Sequence, residues 1–436
     1  MNVEAPSERL LSRAAAEAVR LLPELIRFDT SFYAPSDAAR DDLALQEFIA
    51  AYLRDLGIEV EMFEPRAEEF ESHRLWIPGH VFAGRPVIWA RLAGAGIGPS
   101  LLFNGHYDTV TADPVDLWSH GPWSGDSADG RIWGRGACDM KAGIAAALAV
   151  AHALVAEDAR PPGDLFFNVV PFEEWTGMGT LATLLRGYRA DAAVCGEPTE
   201  LNTLTVCRGI LLGELSVEGR CAHAEMGQPH HSAGGGVSAI DKLVELLYQL
   251  RRLNEDWRLR PDKQDDVLTT PYVLCTLIQG GSYFGNWPQE ARATLSVCYL
   301  PSEVDDEGYG THVKMEIEEF IDGVAATDSW LADHKPAMSW EPDIQAVELQ
   351  PEHPLVTMIS DVAKAQGVSG NHLVGYDTSA DNRLLVNEGG IPSLCFGPGS
   401  IHDAHAVDES VSVSELETCA RVYAQLALEW GGHSAT

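Results

Sequence analysis

The sequence has no Cys-x-x-Cys pair, although it contains eight cysteines in 436 residues, and most of these lie in apolar stretches. This usage argues against a disulfide framework and favours reduced, buried thiols. Basic residues are also scarce, because 30 Lys and Arg stand against 65 Asp and Glu, for a net charge of −35. A chain this acidic is poorly suited to bind nucleic acid or an anionic membrane surface.

Long hydrophobic runs are absent as well. The longest one, at 142–156, is interrupted by Gly143 and His152 and is too short to cross a bilayer. The first 22 residues contain three glutamates and lack the basic and apolar regions of a secretory signal peptide. We therefore expect a cytoplasmic protein with neither nucleic acid nor membrane as a partner.

Strand-like and helix-like segments alternate over the first 207 residues. Apolar runs at 101–105 and 164–171 predict buried strands, whereas apolar residues at helical spacing predict helices at 8–27, 37–56 and 141–157. Acidic residues follow several of the predicted strands. The alternation indicates an α/β sheet with a functional site along one edge.

The pattern changes near residue 208. Alternating strands at 210–218, 272–279 and 291–299 are combined with helices at 238–254 and 308–321, which is typical of a small α+β unit. After residue 327 the α/β character returns. We therefore predict a catalytic domain formed by 1–207 and 327–436, with an α+β domain inserted at 208–326.

Residues able to carry chemistry stand at the ends of these predicted elements. His106 and Asp108 follow the strand at 101–105 and are two residues apart, so both point to the same side. A ligating imidazole usually has a carboxylate or carbonyl at its second nitrogen. Further candidates at strand ends, helix starts or Gly-rich loops are Asp139, Glu174, Glu197 and His405.

Two imidazoles and three carboxylates suit a pair of divalent ions that share one carboxylate, whereas structural zinc favours closed Cys and His sites. Such a pair of ions lowers the pKa of bound water and polarises a carbonyl group. Glu173 and Glu174 end a strongly apolar strand, so one can face the metal while its neighbour takes the proton from that water.

Five segments of the chain, in their order and spacing, resemble the M20 family of metallopeptidases and deacylases. They are His-Tyr-Asp-Thr-Val at 106–110, Gly-Arg-Gly-Ala-Cys-Asp-Met-Lys at 134–141, Glu-Glu-Trp at 173–175, Gly-Glu-Pro-Thr at 196–199, and Gly-Pro-Gly with Ala-His-Ala-Val-Asp-Glu within 397–409. The resemblance implies a zinc-peptidase-like α/β catalytic domain, with a mixed sheet flanked by helices. It also implies an inserted α+β, ferredoxin-like domain that acts as a lid and forms a dimer interface.

The resemblance also implies the metal ligands. Asp139 is expected to bridge two divalent ions, with zinc expected and cobalt or manganese also compatible with such ligands. His106 and Glu197 complete the ligands of one ion, and Glu174 and His405 complete those of the other.

Two further expectations concern an alternative ligand and the residues beside the ions. His402 is an alternative to His405, although the register of the motif favours His405. Beside the ions, Glu173 is expected to be the general base and Asp108 to orient His106.

Four residues bear on the substrate. His223 matches a lid histidine that reaches the site of a partner subunit to stabilise an oxyanion, which implies a homodimer or higher homo-oligomer. Asn286 matches an Asn that contacts substrate. Cys298 stands where the family commonly has an Arg that binds a substrate carboxylate, and a thiol cannot replace a guanidinium. Arg383 is a candidate substitute.

These expectations predict a hydrolase that uses a metal-bound hydroxide to cleave the amide C–N bond of a small N-acyl amine or N-acyl amino acid. A metallo-exopeptidase or dipeptidase is the second prediction, because the missing Arg weakens the binding of a peptide carboxylate. Two alternatives are an aminohydrolase acting on an aromatic amine and an inactive, metal-binding relative. The Glu173-Glu174 doublet argues against the inactive relative, which needs no base.

Overall fold

The computed structural model describes residues 7–431, and these divide into two compact units. The first unit contains the described residues up to 205 together with 348–374 and 380–431, and the second contains 206–347 and 375–379. The insertion thus ends near residue 347, later than the expected boundary at 326. The reason is the strand Ala337–Trp340, which pairs with Gly209–Glu218 of the second unit and was not predicted.

Helices within residues 7–431 are labelled in chain order. They are α1 (Glu8–Ile26), α2 (Asp42–Asp55), α3 (Lys141–Ala156), α4 (Met178–Leu185), α5 (Ala239–Trp257), α6 (Thr311–Ala325), α7 (Pro354–Ala365), α8 (Asn382–Asn387) and α9 (Val413–Glu429).

Strands of the described residues are labelled in the same way. They are β1 (Ser31–Phe32), β2 (Glu59–Phe63), β3 (Val87–Leu92), β4 (Leu101–His106), β5 (Thr109–Val110), β6 (Ser127–Ala128), β7 (Arg131–Trp133), β8 (Leu165–Val170), β9 (Ala193–Cys195), β10 (Thr203–Cys207), β11 (Gly209–Glu218), β12 (Val273–Gly280), β13 (Glu290–Tyr299), β14 (Ala337–Trp340), β15 (Val347–Glu348), β16 (Leu373–Tyr376), β17 (Ser393–Cys395) and β18 (Ser410–Ser412).

The first two helices show how local side chains set helix starts. The Ser7 hydroxyl accepts a hydrogen bond from the Leu10 N–H at 3.2 Å, so Ser7 is the N-cap of α1. Helix α2 begins at Asp42 rather than at Asp37. The Asp37 carboxylate instead accepts the N–H groups of Tyr33 and Ala34, which holds the preceding residues in a turn.

The main sheet of the first unit is mixed, as expected. Its order includes β10-β17-β9-β4-β8-β3-β2, and β4 runs parallel to both β8 and β9. Strand β3 is antiparallel to β8, and β17 is parallel to β9. The carboxyl ends of β4, β8 and β9 therefore lie side by side at one edge.

Helix α3 lies in the core of the first unit, together with residues of α1 and α9. It is rich in alanine, and its small side chains let neighbouring elements approach closely. At Gly143 a Cβ atom would lie 2.2 Å from the carbonyl oxygen of Gly196. This close approach brings the start of α3 against the segment that follows β9.

The second unit has the β-α-β-β-α-β order of a ferredoxin-like fold. Its antiparallel sheet has the order β12-β13-β11-β14, and α5 and α6 share one hydrophobic core with that sheet. Side chains of β11 alternate between buried and more exposed positions, so one face of the strand packs against the core. The expected α+β character is confirmed.

No helix among residues 7–431 is long and apolar enough to cross a membrane. All eight cysteines lie in this range as free thiols, and six of them are buried.

Candidate metal centre

Three neighbouring strands of the first unit deliver side chains to the same edge of the sheet. His106 is the last residue of β4, Glu173 and Glu174 follow β8, and Glu197 follows β9. Because these strands are parallel, the residues after their carboxyl ends lie close together. Asp139 stands two residues before α3 and completes this edge.

The carboxylate of Asp139 lies between two imidazoles. Its Oδ1 is 3.0 Å from Nε2 of His106, and its Oδ2 is 3.5 Å from Nε2 of His405. The imidazole of His405, which the motif register favours over that of His402, is thus the one that faces the shared carboxylate.

Each of the remaining two carboxylates lies near one of these imidazoles. Oε2 of Glu197 is 3.9 Å from Nε2 of His106, and Oε2 of Glu174 is 2.9 Å from Nε2 of His405. The structure thus brings together all five expected ligands. They form two groups that share Asp139, one with His106 and Glu197 and the other with Glu174 and His405.

The electrostatics of this cluster suit cations. Hydrogen bonds to Asp139 and Glu174 raise the pKa of His405 to about 10, so the carboxylates strongly favour positive charge there. Burial raises the pKa of Glu197 well above its ordinary value. Its Oε1 atom is buried and has no hydrogen-bond partner among the described residues. Oxygen and imidazole donors around an unsatisfied carboxylate fit divalent metal ions.

Asp108, the residue expected to orient His106, faces the imidazole with its main chain. Nδ1 of His106 lies 2.9 Å from the main-chain oxygen of Asp108, whereas the nearest carboxylate oxygen is 3.7 Å away. The carboxylate instead accepts the main-chain N–H groups of Glu173 and Glu174, at 3.4 and 3.2 Å. Asp108 therefore holds the imidazole through its backbone and the glutamate doublet through its side chain.

Glu173, the expected general base, lies beside the ligands. Its Oε2 is 3.8 Å from Nε2 of His106, and its side chain is 16% exposed. Burial, together with the nearby Glu197 and Asp381 carboxylates, raises the pKa of Glu173 well above its ordinary value. A largely buried carboxyl group next to a metal site is placed to exchange protons with a bound water.

Sequence reasoning missed two buried carboxylates near the ligands. Asp381 accepts a hydrogen bond from the Thr180 hydroxyl at 2.5 Å, and burial raises its pKa. Glu409 accepts the main-chain N–H groups of Cys138 and Asp139. Glu409 lies within a motif quoted above, so its position was visible, but its contact with a residue 270 positions away was not.

The candidate substrate residues lie in both units. In the second unit, His223 and Asn286 are bridged to each other through their backbones. Cys298 is buried in β13, and its N–H donates to the carbonyl of Tyr272 at 3.0 Å. In the first unit, Nη2 of the buried Arg383 donates to the carbonyl of Thr176 at 2.8 Å. The roles of these four candidates stay predictions.

Comparisons with known proteins identify relatives of this chain. Residues 102–429 match the sequence profile of Peptidase family M20/M25/M40. An N-formyl-4-amino-5-aminomethyl-2-methylpyrimidine deformylase of Bacillus subtilis is 26% identical over 430 residues, which cover 95% of this chain and 94% of the deformylase. A succinyl-diaminopimelate desuccinylase of Methylorubrum extorquens is 40% identical over 352 residues, which cover 78% of this chain and 84% of the desuccinylase.

The fold is also similar to that of a solved tripeptidase from Staphylococcus aureus. The TM-score is 0.71 at 18% identity, over 96% of this chain and 99% of the tripeptidase. The profile match and the identity to the desuccinylase show the family directly. The chain is a metal-dependent amidohydrolase that belongs to Peptidase family M20/M25/M40.

Proposed function

We propose that this chain binds two divalent metal ions and hydrolyses the amide C–N bond of a small N-acyl amine. The observation that carries the proposal is the placement of Asp139, which directs one carboxylate oxygen to His106 and the other to His405. One carboxylate shared between two ligand groups suits a pair of divalent ions.

The ligands divide between the two ions as the resemblance implies. His106, Glu197 and Asp139 would hold one ion, and Glu174, His405 and Asp139 the other. We propose zinc, while cobalt and manganese accept the same nitrogen and oxygen donors. When bound, such ions lower the pKa of water and polarise an amide carbonyl.

Glu173 supplies the proton transfer in this proposal. Its carboxylate takes a proton from the attacking water as the new C–O bond forms. It then delivers that proton to the leaving nitrogen as the C–N bond breaks, so the products are a carboxylic acid and an amine. Its proximity to Nε2 of His106, at 3.8 Å, supports this role.

His223 is proposed to donate a hydrogen bond to the oxyanion. Its Nδ1 accepts the N–H of Glu225 at 3.3 Å, so the proton of the neutral ring is on Nε2. A neutral imidazole with Nε2–H is a suitable oxyanion donor. Following the resemblance, we propose that it acts in the site of a partner subunit.

A homodimer through the second unit is part of this proposal. Strand β12 lies at the edge of its sheet, and Leu274, Leu277 and Ile278 on it are half or more exposed. An exposed apolar edge strand favours pairing with another chain. The free cysteines support the proposed cytoplasmic location, where thiols stay reduced.

An N-acyl or N-formyl amine is the proposed substrate class for two reasons. The similarity to the Bacillus subtilis deformylase extends over 95% of this chain. In addition, Cys298 offers no cation at the position where the family commonly binds a carboxylate, and Arg383 is already hydrogen-bonded to Thr176. A free carboxylate is therefore not required of the substrate.

The test combines metal analysis with a substrate panel. Protein loaded with zinc, cobalt or manganese is assayed for amine release from N-formyl aminomethylpyrimidines, N-acetyl amino acids, N-succinyl-diaminopimelate and dipeptides. We expect two ions per chain and the fastest release from uncharged N-acyl or N-formyl amines. Faster cleavage of dipeptides would replace the proposal with an exopeptidase, and two bound ions without any hydrolysis would indicate an inactive relative.

A further inference from the structure

Arg135 and Glu409 form a buried ion pair that joins two loops of the first unit. Nη1 of Arg135 lies 2.5 Å from Oε2 of Glu409, and their side chains are only 3% and 1% exposed. Arg135 stands four residues before Asp139, and Glu409 stands four residues after His405. The pair therefore links the loop that carries Asp139 to the loop that carries His405.

The second oxygen of Glu409 fixes the main chain at Asp139. Oε1 accepts the N–H of Cys138 at 2.9 Å and the N–H of Asp139 at 3.2 Å. Hydrogen bonds to a buried carboxylate are charge-assisted and directional. They restrict the backbone from which the shared carboxylate of Asp139 projects.

Arg135 reaches the other loop at a second point. Its Nη2 donates to the carbonyl oxygen of His405 at 3.2 Å. The N–H of Gly134 also donates to the carbonyl of Glu409, at 2.9 Å. The guanidinium group of Arg135 thus contacts the Glu409 carboxylate and the His405 carbonyl at the same time. A shorter or non-planar cation would not make both contacts.

The other ligands are held by different elements. His106 ends β4, Glu197 follows β9, and Glu174 is held by the carboxylate of Asp108. None of the hydrogen bonds that the structure shows for Arg135 and Glu409, within residues 7–431, reaches these three ligands. A change in the Arg135–Glu409 pair should therefore weaken binding of the ion on the His405 side more than binding of the other ion.

We propose that Arg135 and Glu409 are positioning residues that set the separation of Asp139 and His405, and so govern binding of the ion on the His405 side. The proposal rests on the proposed dinuclear function. Burying an ion pair costs free energy. Here the two partners hydrogen-bond to the backbones of the loops that carry Asp139 and His405.

The test measures metal binding by Glu409→Gln. Glutamine is nearly isosteric with glutamate, but it replaces one acceptor oxygen with an NH2 donor. This NH2 group must face either Arg135 or the two backbone N–H groups, which are themselves donors. Titration with Zn²⁺ against a competing chelator is expected to show one ion bound about 10–100-fold more weakly, as is typical when residues supporting metal ligands are changed. The other ion should be affected less.

A second variant and a control complete the design. Arg135→Lys keeps the charge next to Glu409 but loses the simultaneous bond to the His405 carbonyl, so it should weaken the same ion. The control is Glu303→Gln, which removes a carboxylate partner of the buried Lys263 in the second unit. It should leave both affinities unchanged. Thermal unfolding without metal shows whether each variant is folded.

The outcomes separate this inference from the function on which it rests. If wild type binds two ions and both positioning variants match it, the inference is wrong and the function stands. If the variants weaken both ions equally, the pair supports the whole centre and the inference is also wrong. If wild type binds fewer than two ions, the dinuclear function itself fails.

Discussion

The main-chain oxygen of Asp108 lies 2.9 Å from Nδ1 of His106, while the Asp108 carboxylate binds the backbone of the glutamate doublet. Asp108 therefore faces the candidate ligand His106 through its main chain, and holds both the candidate base Glu173 and the candidate ligand Glu174 through its side chain. Removing the side chain leaves the carbonyl that faces His106 in place.

We therefore expect Asp108→Ala to lower kcat more than metal affinity. The N–H groups of Glu173 and Glu174 lose their acceptor, so the base Glu173 and the ligand Glu174 are both held less firmly, whereas the main-chain contact to His106 is kept. Asp108→Asn retains one oxygen acceptor and should lie between wild type and Asp108→Ala. Metal content and kcat are measured on the same preparations. A loss of metal that parallels the loss of kcat would show that the carboxylate acts mainly through the ligand Glu174 and not through the base.

Replacing Glu173 tests the base. Glu173→Gln keeps the size of the side chain but cannot accept a proton, so kcat should fall by about 10²–10⁴-fold, the range typical of a general base. Zn²⁺ content should stay at the wild-type level. Glu68→Gln is the control, because Glu68 lies in a surface 3-10 turn of the first unit. Activity retained in Glu173→Gln would remove the residue from the mechanism.

Removing metal should lower stability as well as activity. A ligand that binds only the folded state adds about 2.7 kcal/mol to the free energy of unfolding when its concentration is about 100 times its Kd. Chelation should therefore lower the Tm, and added Zn²⁺ should restore it. Asp139→Ala should show no such response, since it removes the shared ligand. An Asp139→Ala protein with unchanged metal content would exclude the shared site.

Mixed dimers test whether His223 acts on a partner subunit. His223→Ala and Glu173→Gln are each expected to be inactive. In a mixed dimer, the site of the His223→Ala chain keeps Glu173 and receives His223 from the other chain, so activity returns. If His223 acts within its own chain, both sites of the mixed dimer lack one group. Activity is measured before and after subunit exchange.

His80 predicts a pH dependence of stability. Burial lowers its pKa below the ordinary 6.5, and its Nε2 lies 2.9 Å from the Thr176 hydroxyl. As the pH falls below 6.5 the unfolded chain takes up a proton that the folded chain does not, so the free energy of unfolding decreases. One such group contributes a slope of at most about 1.4 kcal/mol per pH unit.

We expect His80→Asn to flatten this slope between about pH 6.5 and 5, although it lowers stability at about pH 7.5. Denaturant unfolding across this range provides the measurement. His312→Asn, at an exposed position of the second unit, is the matched control and should keep the wild-type slope. An unchanged slope in His80→Asn would assign the acid sensitivity to other groups.

The positions of the candidate ligands were predictable because each follows a recognisable strand end or motif. Periodicity located β4, β8 and α3, and the parallel order of neighbouring strands then brings their ends together. Helix α4 was not predicted. It begins after Gly177 and is buried along nearly its whole length, so it shows no polar face from which a helical period could be read.

The sequence patterns did not predict contacts between residues that are far apart along the chain. The spacing of His106 and Asp108 places them on one side, but it does not decide whether a carbonyl or a carboxylate oxygen faces the imidazole. Similarly, nothing local to Glu409 indicates that it binds the backbone at Asp139. The end of the inserted unit was misplaced because β14 pairs with β11, a strand more than a hundred residues earlier.

The second unit is inserted between Glu197 and His405, so the candidate ligands are separated along the chain by a whole folding module. During synthesis the ribosome delivers His106, Asp139, Glu174 and Glu197 long before His405 and Glu409 emerge. In the proposed dinuclear centre, a nascent chain would hold the residues of one half early, and those of the other half only when almost the entire polypeptide has been made. On the proposed ligand set, the ion on the His405 side would then bind only after the final loop has been translated.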